Sequence, residues 1–123
     1  MLNDQELMAF VATDRASDAL PFYRDVLGLR FIADEPYALV FQAGAVTLRI
    51  QKVESHDPLP YTTLGWKVLD IATTVAALRD HGVVCERFPG MAQDELGIWA
   101  SPSGARVAWF KDPDGNVLSL TQL

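Results

Sequence analysis

The side chains that could carry chemistry are few and scattered along the 123 residues of this chain. His56 lies in a polar segment. His81 falls in the last turn of a predicted helix, where the helix dipole stabilises a positively charged imidazolium. Cys85 has no histidine near it in sequence and lies in an apolar segment, which favours a buried, inert thiol over a nucleophile. Residues 101–104 form a turn without the Gly-x-Ser-x-Gly pattern of a nucleophile elbow. These residues therefore predict no nucleophilic or metal-binding cluster.

Composition limits the partners. The formal net charge of −6 and the lack of a Lys/Arg cluster argue against nucleic acid, whose phosphates need a basic surface. Acidity suits a cationic ligand, but it also simply keeps a protein dispersed. The longest apolar run, residues 7–12, is too short to span a bilayer, and no positively charged leader is visible. A single cysteine excludes an intrachain disulfide and is compatible with a reducing compartment, so we expect a cytoplasmic protein. From the charge and the short apolar runs we expect it to bind neither nucleic acid nor membrane.

The first half of the chain predicts a strand, a helix and three further strands. Asp14 or Ser17 offers a helix N-cap, and Pro21 falls in the first turn if Ser17 is the cap. Gly28 ends this helix as its C′ residue. The predicted strands are residues 7–13, 29–33, 37–42 and 46–53. The polar, proline-containing residues 54–61 then predict a linker.

The second half repeats this order. Asp70 caps a helix that Gly82 ends. The predicted strands are residues 62–69, 83–88, 97–101 and 105–111, with a last strand from Val117. An internal duplication of this kind indicates two similar units that bury their apolar surface together. We therefore predict an α+β protein of two βαβββ modules, residues 5–53 and 62–123, that form a curved mixed sheet around a ligand cleft.

The last two strands are joined by a tight turn, Asp112-Pro113-Asp114-Gly115-Asn116. Pro113 presets φ for the first central position, and Gly115 tolerates a positive φ. Together with the earlier segment Phe22-Tyr23-Arg24-Asp25-Val26-Leu27-Gly28-Leu29 and the duplication, this turn resembles the vicinal oxygen chelate superfamily. That superfamily includes glyoxalase I, extradiol dioxygenases and bleomycin-resistance binding proteins. The resemblance implies one domain over residues 1–123 and a homodimer.

The resemblance also implies where metal ligands would stand. Metal-dependent members place a His, Gln or Glu near the start of the first strand of each module and a Glu in the last strand. Alignment from Phe10, Trp66 and the late turn assigns these positions to Leu7, Leu48, Thr63 and Ser119. None of the four is a good ligand for a divalent ion. A one-residue slip would bring Glu6 to the first position and leave the others unchanged. We therefore expect that the metal site has been lost and that no cofactor is needed.

A ligand-binding face remains possible without a metal. Strand alternation predicts that Thr63 and Lys67 share a face with Ser119 and Thr121. Aromatic residues in the middle strands could stack on a planar ligand or could pack in the core or at a subunit interface; they are Tyr37, Phe41, Trp99 and Trp109. Arg49 and Arg106 could pair with an anionic ligand or lie on the solvent side.

Two functions from different classes follow. The first is metal-independent binding of a small cationic or aromatic molecule, similar to the bleomycin-resistance branch of the superfamily. The second is an enzyme, a glyoxalase-like lyase or isomerase with an atypical site. The resemblance fixes the fold rather than the function, because one fold hosts many chemistries.

Overall fold

The computed structural model describes residues 1–123 and divides into two compact units, Met1–Asp57 and Pro58–Leu123. The division falls within the segment 54–61 that was predicted to be a linker. No helix has the length and apolar character that crossing a membrane requires.

The first unit is a four-stranded mixed sheet with one helix. Its elements are β1 (Met8–Thr13), α1 (Ala16–Pro21, continued by a π-helical turn over Phe22–Val26), β2 (Arg30–Asp34), β3 (Ala38–Ala43) and β4 (Val46–Lys52). The strand order is β1-β4-β3-β2, in which β1 runs parallel to β4 and the other pairs are antiparallel.

The second unit repeats this topology. Its elements are β5 (Thr62–Lys67), α2 (Ile71–Asp80), β6 (Trp99–Ala100), β7 (Arg106–Lys111) and β8 (Val117–Gln122). The strand order is β5-β8-β7-β6, again with one parallel pair, β5 and β8. The predicted α+β class with two modules and mixed sheets is confirmed.

Helix α1 differs from its predicted start. Its N-cap residue is Arg15, so neither Asp14 nor Ser17 caps it, and Pro21 lies inside the helix rather than in the first turn. Proline has no N–H to donate to the preceding turn, and the helix widens directly after it, with Leu27 N–H donating to the Phe22 carbonyl over 2.9 Å. The predicted end at Gly28 is confirmed by its φ of 71°.

Helix α2 has the predicted boundaries. The Asp70 side chain accepts a hydrogen bond of 3.2 Å from the Thr73 N–H, which satisfies one of the helix's first amides. Gly82 adopts a φ of 83°, and Val83 N–H donates to the Leu78 carbonyl over 3.0 Å. The apolar side of α2 is buried through Ile71, Val75 and Leu78.

The strand predicted over residues 83–88 is wrong. A single amide, the Glu86 N–H, donates to β7, at the Trp109 carbonyl over 2.7 Å. The Gln93 side chain bonds the groups that a second strand would have used. Its Nε2 donates to the Glu86 carbonyl and its Oε1 accepts from the Phe88 N–H, both over 2.8 Å. The strand predicted over residues 97–101 is shorter in the structure, where β6 covers Trp99–Ala100. The Gln93 side-chain amide also donates to the Gly97 carbonyl, so this carbonyl is bonded by a side chain rather than by a neighbouring strand.

Each sheet has one face toward its own helix. In the first unit the Phe41 ring contacts Tyr23 of α1, with centroids 6.0 Å apart, and Phe41 pairs across the sheet with Leu48. In the second unit the buried pairs on the α2 side are Phe110 with Leu118 and Ala108 with Leu120. Because side chains alternate along a strand, the residues between these positions lie on the face opposite the helix.

Candidate functional site

The face opposite α2 in the second unit collects most of the predicted ligand-binding residues. Ser119 in β8 lies between Gly65 of β5 and Trp109 of β7, one on each side. Thr121 lies next along β8, beside Lys67 of β5. Thr63 shares the alternation of Gly65 and Lys67 along β5. The structure thus brings Thr63, Lys67, Ser119, Thr121 and Trp109 to one face; that they bind a ligand stays a prediction.

Three aromatic rings form a row on the same face. The Trp109 ring centroid lies 6.1 Å from that of Trp99, with the planes at 36°. Trp109 also meets Phe88 edge to face, with centroids 5.4 Å apart and planes at 89°. Phe88 was missed by the sequence reasoning, because residues 83–88 were assigned to a strand and nothing in the sequence indicated which way this ring points.

The polar groups on this face differ in how fully they are used. The Thr63 hydroxyl donates to the Val117 carbonyl over 3.2 Å, so its proton is already committed. Lys67 is exposed and forms no ion pair. Ser119 is 9% exposed, and no hydrogen bond within the protein uses its hydroxyl, which is not one of the fully buried polar atoms. Ser119 therefore offers both a donor and an acceptor to a ligand.

The remaining candidates lie elsewhere. Tyr37 directly precedes β3 in the first unit and is 81% exposed. Phe41 is buried against Tyr23 in the first unit. Of the alternatives considered for this ring, it packs in the core. Arg49 lies on the face opposite α1 and pairs with Glu35 over 3.2 Å.

Arg106 begins β7 and approaches the Asp94 carboxylate at 4.0 Å. Both arginines that were considered as anion ligands thus lie beside a carboxylate of their own unit, at partly exposed positions where such pairs contribute little stability.

Two of the assigned metal-ligand positions are shifted by one residue. Leu48 is 1% exposed and lies on the α1 side of its sheet, in the core. Its neighbour Arg49 pairs with Phe10 of β1 in the way that Ser119 pairs with Gly65, so Arg49 is the counterpart of Ser119. Leu7 precedes β1, and Met8 is the first β1 residue on the face of Phe10.

The corrected positions are no better suited to a metal ion. The first unit offers the Met8 thioether and the Arg49 guanidinium, and the second offers the hydroxyls of Thr63 and Ser119. A guanidinium repels a cation, and neutral hydroxyls and a thioether are weak ligands for hard or borderline divalent ions. No group of three or more His, Cys, Asp or Glu side chains is arranged to hold a metal ion. These residues do not fit the metal that the superfamily resemblance implies.

Cys85 lies outside this face. It is buried, and loss of hydration raises the pKa of its thiol above the ordinary value of 9.0, with Arg87 opposing the shift. A thiol with a raised pKa holds little thiolate at neutral pH and is a poor nucleophile. The geometry agrees with the inert role predicted for it.

A duplicated α+β chain, with one mixed sheet and one helix in each unit, is the class that the fold defines. A sequence profile of the Glyoxalase/Bleomycin resistance protein/Dioxygenase superfamily matches residues 7–120, and the chain belongs to that superfamily. A comparison with curated proteins gives no match.

Solved structures share this fold at low sequence identity. A lactoylglutathione lyase from Agrobacterium tumefaciens is 17% identical with a TM-score of 0.75, covering 99% of this chain and 96% of its own. TnmS3, an antibiotic binding protein from Streptomyces sp. CB03234, is 24% identical with a TM-score of 0.72, covering 99% and 98%. A superfamily member from Sphaerobacter thermophilus DSM 20745 is 22% identical with a TM-score of 0.73, covering all of both chains. At these identities the similarity concerns the fold alone.

Proposed function

We propose that the face opposite α2 binds a small planar molecule without the help of a metal ion. The observation that carries this proposal is the row of Phe88, Trp109 and Trp99 beside the unused hydroxyl of Ser119. Aromatic faces gain about 0.5–1.5 kcal/mol from each well-placed ring contact, beyond the area that they bury. A flat ligand edge or face placed on Trp109 would collect such contacts together with a hydrogen bond.

The charges on this face favour a neutral or anionic aromatic molecule over a cation. The strand positions on the face include Lys67 and Lys111 but no Asp or Glu. The nearby Glu86 carboxylate is paired with the Lys111 ammonium at 3.4 Å. The net charge of −6, which alone would suit a cation, therefore resides on other parts of the chain.

Metal independence rests on the residues at the superfamily's ligand positions, Met8 and Arg49 in one unit and Thr63 and Ser119 in the other. It is tested by elemental analysis of protein purified without chelator. We expect less than one tenth of an equivalent of Ni, Zn, Fe or Mn, as roughly set by the weak donors present. A stoichiometric metal, together with lyase or isomerase turnover of a glutathione hemithioacetal, would favour the enzymatic alternative and contradict the binding function.

Trp109 is the residue to change in a direct test of binding. Titration of the protein with 2-naphthol, followed by tryptophan fluorescence and calorimetry, measures the affinity. Trp109→Ala should weaken binding by roughly 10-fold, since it removes the central ring of the row. Trp66→Phe is the matched control, because Trp66 pairs with Leu120 on the α2 side. Equal affinities of wild type and Trp109→Ala would exclude this face as the site.

We also propose a homodimer in the cytoplasm, as the superfamily resemblance and the single cysteine suggested. Light scattering after size exclusion should give twice the chain mass of 13.6 kDa. A mass of one chain at micromolar concentration would contradict the dimer, and recovery of the protein outside the cytoplasmic fraction would contradict its location.

A further inference from the structure

Gly65 occupies a position where a side chain would collide with the candidate site. It lies beside Ser119 across the β5–β8 pair, and a Cβ added to it would stand 2.6 Å from the Ser119 Oγ. The Ser119 hydroxyl therefore occupies the space that a side chain of residue 65 would fill. At the corresponding point of the first unit, the bulky Phe10 stands beside Arg49. Only the second unit has this recess.

The hydroxyl in the recess is partly shielded, and no hydrogen bond within the protein uses it. Ser119 is 9% exposed and is enclosed by the neighbouring strands that carry Gly65 and Trp109. A hydroxyl that no protein group uses can exchange hydrogen bonds with water, or with a ligand that displaces the water. The hydroxyl is thus both held in a defined place and available.

We propose that Gly65 determines ligand specificity by keeping the Ser119 hydroxyl in this recess. The ligand class that follows is a planar aromatic molecule with a hydroxyl or carbonyl group at its edge. The ring packs on Trp109, and its polar group exchanges a hydrogen bond with Ser119 Oγ. This inference rests on the proposed function of the face opposite α2.

Gly65→Ala tests the inference because it should disturb little else. The φ angle of Gly65 is not positive, so alanine is not strained there. The nearest backbone atom to the added Cβ is the Ser119 carbonyl oxygen at 3.4 Å, an ordinary contact. Only the Ser119 hydroxyl, at the end of a side chain that can rotate, must move. In a Ser119→Ala background there is no hydroxyl to displace.

The experiment compares two probes of similar size, 2-naphthol and 2-methylnaphthalene, on four proteins: wild type, Gly65→Ala, Ser119→Ala and the double variant. Wild type should prefer 2-naphthol by roughly 2- to 10-fold, the value of one hydrogen bond. Either single variant should reduce this preference to about 1, and Gly65→Ala should have no further effect in the Ser119→Ala background. Thermal unfolding of each variant checks that the fold is retained.

Three results would overturn the inference. A preference for 2-naphthol that survives Gly65→Ala in a folded protein would show that the hydroxyl is not held by the recess. Equal weakening of both probes by Gly65→Ala, with and without the Ser119 hydroxyl, would indicate simple occlusion. Failure of both probes to bind wild type would overturn the proposed function as well, whereas binding that depends on Trp109 but shows no preference would overturn the inference alone.

Discussion

Removal of the Asp112 carboxylate should destabilise the turn that leads into β8. Asp112 is 5% exposed, and its Oδ1 accepts hydrogen bonds of 2.9 Å from the backbone N–H groups of Asp114 and Asn116. Its Oδ2 accepts a third, also of 2.9 Å, from the Asn116 side-chain amide. Asp112→Ala would leave these donors buried without their acceptor, which costs more than the loss of the bonds alone.

The size of the effect follows from these contacts. Hydrogen bonds to an ionised group contribute about 1.5–3 kcal/mol each, and bonds that share one acceptor do not add fully. We expect Asp112→Ala to lower the free energy of unfolding by about 3–5 kcal/mol. Against a total stability of roughly 5–15 kcal/mol for a domain, this is a large part. The melting temperature should fall by roughly 10–20 °C.

Asp112→Asn distinguishes the contribution of Oδ1 from that of Oδ2. Asparagine can keep an acceptor toward the two backbone amides, but its NH2 group then faces the Asn116 side-chain amide, donor against donor. Urea unfolding, followed by circular dichroism, should place this variant between wild type and Asp112→Ala, with a loss of about 1–3 kcal/mol. A loss below about 1 kcal/mol for Asp112→Ala, or equal losses for the two variants, would refute the assigned role of Oδ1.

Three further predictions concern the second unit. Gly97→Ala should lower the free energy of unfolding by more than about 2 kcal/mol, because Gly97 has a φ of 88° and an added Cβ would stand 2.8 Å from the Cys85 Cβ. Gly104→Ala is the control for backbone strain without a collision, because Gly104 has a φ of 92° and an added Cβ would meet nothing within 4 Å. The Thr73 N–H holds the pKa of Asp70 below its ordinary 3.8, so this cap stabilises the protein above about pH 4 and the gain is lost as pH falls through the lowered pKa. Asp70→Asn, which caps without charge, should show a weaker acid dependence of unfolding, and an unchanged dependence would contradict the cap. Ellman's reagent should react slowly with Cys85 at pH 7 and rapidly after unfolding, as burial raises its pKa; fast reaction of the folded protein would contradict its burial.

Local signals in the sequence located both ends of α2 but not the start of α1, whose N-cap is Arg15 rather than Asp14 or Ser17. Asp70 and Gly82 bound α2 as predicted, because a cap hydrogen bond and a positive φ are properties of single positions. No such signal marks residues 83–88, whose apolar character resembles that of a strand. The Phe88 N–H and the Glu86 carbonyl bond the Gln93 side chain instead, and only the folded loop brings that side chain to them.

In the candidate site, too, local properties were predicted from the sequence and the pairing between strands was not. The predicted grouping on one face of β5 and β8 matches the structure, because alternation within a strand is a local property. The transfer of that grouping to the first unit failed by one residue, at Leu48 instead of Arg49. A one-residue slip moves a side chain to the other face, and only the observed pairing with Phe10 fixes it.

The sequence by itself determined the duplication, the α+β class, the superfamily and the turn at residues 112–116. The duplication, the class and the turn depend on periodicity and on residues with special backbone geometry, whereas the superfamily rests on the resemblance of the motifs at residues 22–29 and 112–116. Tertiary structure alone decided that Phe88 joins Trp109 and Trp99, and that Gly65 makes room for the Ser119 hydroxyl. Both arrangements arise between strands and loops distant in sequence, where register and side-chain direction are set by packing rather than by local preference.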